Sequence, residues 1–239
     1  MIRPHFRAGL AADLKGDQSP VTLADREAEQ AMRAVLARHF PEHGILGEEF
    51  GLDRPAARLR WVLDPIDGTR AFITGRPIFG TLIGLLDGDI PILGIIDQPV
   101  TGERWIGAAG RPTAFRGPFG GGVGCRPCRT LAEAELSCTS AEMFSPAERP
   151  RWERLSAAAR RVSFGGDCYA YGLLALGQID AIAEADLKLW DWAALVPVIA
   201  GAGGSLTDWR GQPLRPDGDG RALALGDKTL LAESIALLA

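Results

Sequence analysis

Histidine is scarce in this chain: three residues in 239, at His5, His39 and His43. A Ser-His-Asp hydrolase needs an imidazole beside its nucleophile, and nothing beyond His43 can supply one, which argues against that class. Cysteine is nearly as rare. Cys125, Cys128, Cys138 and Cys168 are too few and too scattered for a disulfide framework. The lone C-x-x-C at Cys125-Arg126-Pro127-Cys128 has no second pair and no histidine at zinc-finger spacing. It reads as a loop with two reduced thiols, with a redox pair as the alternative. Excess positive charge is missing too. A net charge of −4 argues against a general nucleic-acid binder, which carries a basic face. The longest apolar stretch, around Ile78 to Ile96, is broken by Asp87 and Asp89, so no transmembrane helix is expected. Met1-Ile2-Arg3-Pro4-His5 contains no apolar core of signal-peptide length. Cytoplasmic location with no membrane partner is the expectation. Internal repeats are absent, and Gly120-Gly121-Gly122 lacks the lysine and spacing of a P-loop.

What the chain does have is apolar content of 46%, enough to bury a core as one large domain or two coupled lobes. It is organised around Trp61-Val62-Leu63-Asp64-Pro65-Ile66-Asp67-Gly68-Thr69. Trp61 to Leu63 reads as a buried strand that delivers Asp64 to the mouth of a sheet. Pro65 is expected to end the ladder, since it has no N–H to donate. Asp67 and Gly68 make a turn, and Thr69 is placed to cap a new helix. Two carboxylates so close repel unless a proton or a cation lies between them. Hard oxygens clustered this way suit Mg²⁺, which takes one or two carboxylates and leaves other positions to water and phosphate. An ordinary Asp-Pro turn is the plain alternative.

Along the chain, residues from Lys15 to Pro20 form a polar loop. A helix follows whose apolar face is Ala28, Ala31, Met32, Val35 and Leu36. Thr22 and Asp25 resemble a capping box, and Asp25 alone would simply favour the positive helix end. Pro41 stops that helix. Gly44 to Gly47 reads as a short strand ending at Glu48-Glu49. Arg70 to Thr74 should open a short helix. Phe79 to Leu86 and Ile90 to Asp97 make a hairpin through Asp87-Gly88-Asp89, with Glu103 to Ala109 as a third strand. Gly110 to Arg129 reads as a loop and the joint between lobes. The second half alternates: strand from Glu135 to Ser140, helix from Pro146 to Arg161, strand from Val162 to Phe164, helix from Tyr169 to Leu176, strand from Asp180 to Glu184. A helix from Asp191 to Gly201, bent at Pro197, precedes a strand at Ala222 to Leu225 and a last helix capped by Asp227. Asp191 has its own structural reading as a helix N-cap. Meander then alternation predicts an α/β chain with a mixed sheet and helices layered on it.

W-V-L-D-P-I-D-G-T-R-A-F at Trp61 to Phe72, G-E-E at Gly47 to Glu49 and W-D-W-A-A at Trp190 to Ala194 resemble the inositol monophosphatase family. These are Mg²⁺-dependent, lithium-sensitive sugar-phosphate phosphatases. Gly203-Gly204 matches the small pair that trails the family's second signature, and the likeness runs from about Lys15 to the C-terminus. It implies the sugar-phosphatase fold, helix and sheet layers in the order αβαβα with a largely antiparallel N-terminal sheet. It also implies a single phosphatase domain in two lobes, residues 1–115 with the metal motif and 116–239 supplying Asp191 and substrate contacts. By the same likeness, Glu48, Asp64, the Ile66 carbonyl, Asp67 and Asp191 hold two to three Mg²⁺ ions, with Asp64 bridging two. Thr69 holds the attacking water with help from Asp25, and Glu48 serves a further ion and its water. Asp67, Gly68, Thr69, Glu184 and Asp191 would meet the substrate, and the family's habit is the homodimer. The physics agrees: bare carboxylates repel a phosphate dianion, and paired divalent ions turn the site attractive.

Arg76-Pro77-Ile78-Phe79-Gly80-Thr81-Leu82-Ile83, Asp186-Leu187-Lys188 and Ser19 to Asp25 are similar to the histidinol-phosphate phosphatase branch. Leu189-Trp190 departs from that branch, which more often has a proline and a tyrosine there. The first helix also looks short, with Phe6 to Leu14 standing for it. The expected substrate is L-histidinol phosphate, whose amine Glu184 and Asp186 could meet. Plain surface charge is the preferred reading of Asp186. Inositol 1-phosphate or another small sugar phosphate comes second and nucleotide bisphosphates third. A non-catalytic interaction protein and a structural Ca²⁺ site are the readings from other classes.

Overall fold

The computed structural model describes residues 1–8, 13–14, 20–21 and 23–239. A single 3₁₀ turn at Arg3–His5 opens the chain, and β1 (Asp13–Leu14) pairs antiparallel with β2 (Pro20–Val21). The short first helix expected up to Leu14 is therefore a strand at its end, because Asp13 and Leu14 find ladder partners in Val21 and Pro20. The loop expected at 15–19 and the capping role of Thr22 fall outside the described residues.

Next come α1 (Leu23–His39), β3 (Gly44–Gly47), β4 (Gly51–Asp53), β5 (Leu59–Asp67) and α2 (Thr69–Ile73). They lead into the meander β6 (Gly80–Asp87), β7 (Ile90–Gln98), β8 (Glu103–Ala108) and β9 (Ala114–Arg116). These strands make a seven-stranded sheet in the order β4-β3-β5-β6-β7-β8-β9. Its pairs are antiparallel except β3 with β5. The segment expected as a bare loop from Gly110 contributes β9, because Ala114 to Arg116 pair with Arg104 to Ile106.

The second half holds β10 (Glu135–Cys138), α3 (Arg149–Ala158), β11 (Arg161–Phe164), α4 (Asp167–Ala175) and β12 (Ala181–Glu184). It ends with α5 (Leu189–Trp192), α6 (Leu195–Gly201), β13 (Ser205–Thr207), β14 (Ala222–Leu225) and α7 (Leu231–Leu238). Its sheet runs β11-β10-β12-β14-β13, parallel across β11, β10 and β12 and antiparallel beyond.

Layering follows from burial. α1 and α2 bury Ala24, Ala28, Ala71 and Phe72 against Ile66 and Phe79 on the outer side of the first sheet. Helices α4 and α6 lie between the sheets, where Leu82, Ile96, Trp105, Tyr171, Leu174, Ile182 and Val198 make one core. Helices α3 and α7 cover the far side of the second sheet with Trp152, Leu155 and Leu238. In β14, Ala222 and Ala224 face the central core while Leu223 and Leu225 face the outer one. A strand covered on both faces has to be apolar throughout. The order is helix, sheet, helix, sheet, helix, the αβαβα layering of an α/β protein.

Two expectations about helices change. The helix expected over Asp191 to Gly201 is two, α5 and α6, interrupted at Ala193-Ala194 rather than bent at Pro197. Pro197 sits in the first turn of α6, where the missing N–H costs no helical bond. On α1, Val35 is 58% exposed, while Asp25 and Glu29 are buried in its place.

Candidate metal centre and active site

β3 and β5 run parallel with Gly47 beside Leu63. One residue further along each strand stand Glu48 and Asp64, and the Glu48 amide donates to the Leu63 carbonyl at 3.2 Å. β5 does not stop at Pro65. It continues to Asp67 through a register shift between Asp64 and Asp67 against β6, and the proline lies inside that irregularity, where the ladder needs no donor from it. The Thr81 hydroxyl donates to the Pro65 carbonyl at 2.7 Å and secures the bulge. Gly68 then takes φ 86°, a left-handed conformation that favours glycine, and is itself the cap of α2. A Cβ there would also fall 2.6 Å from the Asp167 Cγ. Thr69 is thus the first helical residue rather than the cap, and its hydroxyl donates to the Ile66 carbonyl at 3.1 Å.

Asp191 arrives from the second half of the chain. It is the third residue of α5, not its N-cap, and one of its oxygens accepts the Lys188 amide at 2.6 Å. Asp67 is held in a similar way, accepting the Cys168 amide at 2.5 Å in the first turn of α4. Asp64, Asp67 and Asp191 each present an oxygen to one point, all within 4.8 Å of one another. Asp25, buried in the first turn of α1, and Glu48 both press their charge on Asp64.

Among the described residues, the electrostatics are those of carboxylates crowded against one another. Burial first, then the charges of Glu48, Asp67, Asp191 and Asp25, pushes Asp64 well above the usual carboxylate range. The neighbours that shift it most, among the described residues, are all carboxylates. Asp67 is likewise raised well above the range by burial, then by Asp167 and Asp191, with the Cys168 amide opposing. Burial takes Asp191 up to about 7 against the Lys188 amide, and Glu48 and Glu184 add to the rise. Asp64 Oδ1 is buried and has no hydrogen-bond partner among the described residues. An orphaned anionic oxygen among converging hard donors fits a divalent cation, whose charge reverses each of these shifts.

Beside the cluster lies a cavity of about 150 Å³ lined by Asp67, Asp167, Cys168, Tyr171, Glu184 and Asp191. Glu184, 3% exposed, accepts the Thr139 amide at 2.7 Å and the Tyr171 hydroxyl at 2.8 Å. Its place in the wall is set by these bonds. Asp186 is exposed and pairs with Lys188 at 2.6 Å, as a surface charge does. Asp167 was not among the expected site residues. Burial and Glu184 raise it to about 6, with Arg76 and Arg70 opposing. Its φ of 44° follows two positive-φ glycines, Gly165 and Gly166, so the G-G-D triplet was the signal for it. A larger cavity, about 580 Å³, lies around Leu187 to Trp190 and Arg210 to Gly220. None of the clustered carboxylates lines it, and the chemistry belongs to the smaller one.

Known proteins with similar sequences or folds place this geometry. The bifunctional phosphatase IMPL2, chloroplastic, of Arabidopsis thaliana is 47% identical over 214 residues, 89% of this chain and 61% of its own length. A histidinol-phosphatase of Mycobacterium tuberculosis is 39% identical over 220 residues, 88% of this chain and 83% of its own. The solved structure of an inositol monophosphatase from Zymomonas mobilis is 48% identical with a TM-score of 0.90, covering 99% of this chain and 91% of that one. A phosphoric monoester hydrolase is the class they define. The sequence model of the inositol monophosphatase family matches residues 1–238, and the chain belongs to that family. Among the described residues no helix is long and apolar enough to cross a membrane.

Proposed function

We propose that this enzyme hydrolyses L-histidinol phosphate to L-histidinol and phosphate with Mg²⁺. The residues that would hold two to three ions are Glu48, Asp64, the Ile66 carbonyl, Asp67 and Asp191. When bound, the ions neutralise the phosphate and make a nucleophile of water at neutral pH. The chain's own groups do the rest. The Thr69 hydroxyl and the Asp25 carboxylate orient the attacking water, assisted by Glu48. Amides of Gly68 and Thr69 meet phosphate oxygens, while Asp67, Asp191 and Glu184 accept hydrogen bonds from the substrate. A cytoplasmic, lithium-sensitive homodimer completes the reading, and sedimentation and a lithium titration test its last two parts.

The observation that carries the substrate choice is the acidic far wall. Asp167 and Glu184 face the cavity next to the cluster, and an ammonium on the leaving group would offset the burial and the repulsion from Glu184 that together raise Asp167. The likeness to a histidinol-phosphatase supports the same choice. Inositol 1-phosphate is the second reading, favoured by the likeness to the Zymomonas mobilis inositol monophosphatase. Phosphate release from a substrate panel with Mg²⁺ ranks them, and a histidinol phosphate rate no better than the inositol phosphate rate defeats the first choice. Asp167→Asn sharpens the panel, because asparagine tolerates the left-handed backbone. Losing one charge-assisted bond should slow histidinol phosphate about 10-fold or more and leave inositol phosphate unchanged.

A further inference from the structure

Glu29 lies one helical turn after Asp25 on α1 and is 0% exposed. Its carboxylate is not part of the cluster; it grips the turn that carries Glu48. Glu29 Oε2 accepts the Glu49 amide at 2.8 Å, and Oε1 accepts the Phe50 amide at 3.3 Å and Arg33 Nε at 2.7 Å. Arg33 Nη2 continues to the Gly51 carbonyl at 2.5 Å, so carboxylate and guanidinium clasp the turn together. The fit is tight enough that a Cβ on Gly47 would land 1.9 Å from Glu29 Oε1.

The consequence falls on Glu48. Its own amide is held by the Leu63 carbonyl at 3.2 Å. The Glu49 N–H lies in one rigid plane with the Glu48 carbonyl, and Glu29 holds that N–H. Both peptide planes that meet at the Glu48 Cα are therefore pinned, which sets the direction in which its side chain leaves the backbone. The same helix carries Asp25, so α1 presents two acids to the centre, one directly and one through the turn.

We infer that Glu29, clasped by Arg33, is a positioning residue that aims Glu48 at Asp64 and thereby sets the affinity of the centre for divalent cations. This rests on the reading that Glu48 holds an ion. Partners that orient a ligand are worth about 10- to 100-fold in metal affinity.

The test is Glu29→Gln, which keeps the shape but turns one hydrogen-bond acceptor into a donor facing another donor. Two titrations with Mg²⁺ are read: half-activation of phosphate release, using whichever ester the panel shows to be turned over, and the rise in melting temperature without substrate. Both midpoints should move up by about 10-fold or more. Leu36→Ala, a buried change on the same helix, controls for mere loosening: it should lower the melting temperature and leave both midpoints in place. Midpoints for Glu29→Gln within twofold of the parent, or an equal shift in Leu36→Ala, overturn the inference. A parent protein with no response to Mg²⁺ in either titration overturns the cation reading itself, and this inference with it.

Discussion

Of the places where this molecule buries carboxylates, two treat them in opposite ways. Asp180 is 1% exposed, yet each of its oxygens has a cationic partner: Arg126 Nε at 2.7 Å and Nη2 at 2.6 Å, with the Glu135 amide adding a third bond at 2.8 Å. Asp64, as deeply buried, is shifted by that burial and then by other acids, and among the described residues one of its oxygens has no partner. The first arrangement is complete within the chain and ties strands to a loop. The second is an arrangement that a bound cation would complete. Burial alone thus says little about a carboxylate; whether a cationic side chain stands against it separates a fixture from a candidate ligand.

The sharpest way to break the contrast is Asp64→Asn. If Asp64 is a ligand, phosphate release should fall by at least about 10²–10³-fold, the scale for losing one electrostatic partner of a transition state. The metal-free melting temperature should rise, because a source of repulsion is gone. Retained turnover would put Asp64 in the same category as Asp180.

A smaller effect is expected from pH. Asp191 sits near 7 in the folded chain against a usual 3.8, so between those values the folded state binds more protons than the unfolded one. Stability of the metal-free protein should therefore fall as pH rises from about 4 to 7, by on the order of a few kcal/mol. Saturating Mg²⁺ should flatten or reverse that slope. Melting temperatures across the range, with and without chelator, check it; a rise with pH in chelator contradicts it.

Least dramatic is Asp180→Asn. It leaves Arg126 half-exposed and still partly bonded, so a loss of about 1–2 kcal/mol is expected by denaturant titration. The response to Mg²⁺ should not move, and a shift would blur the line between the two sites.

The clustered acids were legible because their neighbours are unusual: a proline inside a strand, a glycine at a turn, a tryptophan pair around Asp191. Each departs from what a plain strand or helix needs. Glu29 was not legible, and the reason is instructive. Asp25, Glu29 and Arg33 recur every four residues on α1, which in isolation is the pattern of a solvated stripe. The turn after β3, bonded to Glu29 and Arg33, makes that part of the stripe interior, while Val35 on the expected apolar face points outward. Helical periodicity tells which residues share a face, not what that face will meet. The break between α5 and α6 was hidden for a similar reason: Pro197 looked like the bend, but a first-turn proline is harmless and the interruption falls on two alanines. β9 was invisible because three residues in a glycine-rich stretch become a strand only when a partner edge is offered.

Asp67 and Asp191 reach their common point from opposite halves of the chain, and the Cys168 amide that steadies Asp67 lies 101 residues away from it in sequence. An unfolded polypeptide cannot bring those oxygens together, so an ion caught there acts as a clasp on the finished article. At a hundred times its dissociation constant it adds about 2.7 kcal/mol to the folded state. If the centre binds its ion, the supply of divalent ions would bear on how long each copy of the protein survives as well as on how fast it works.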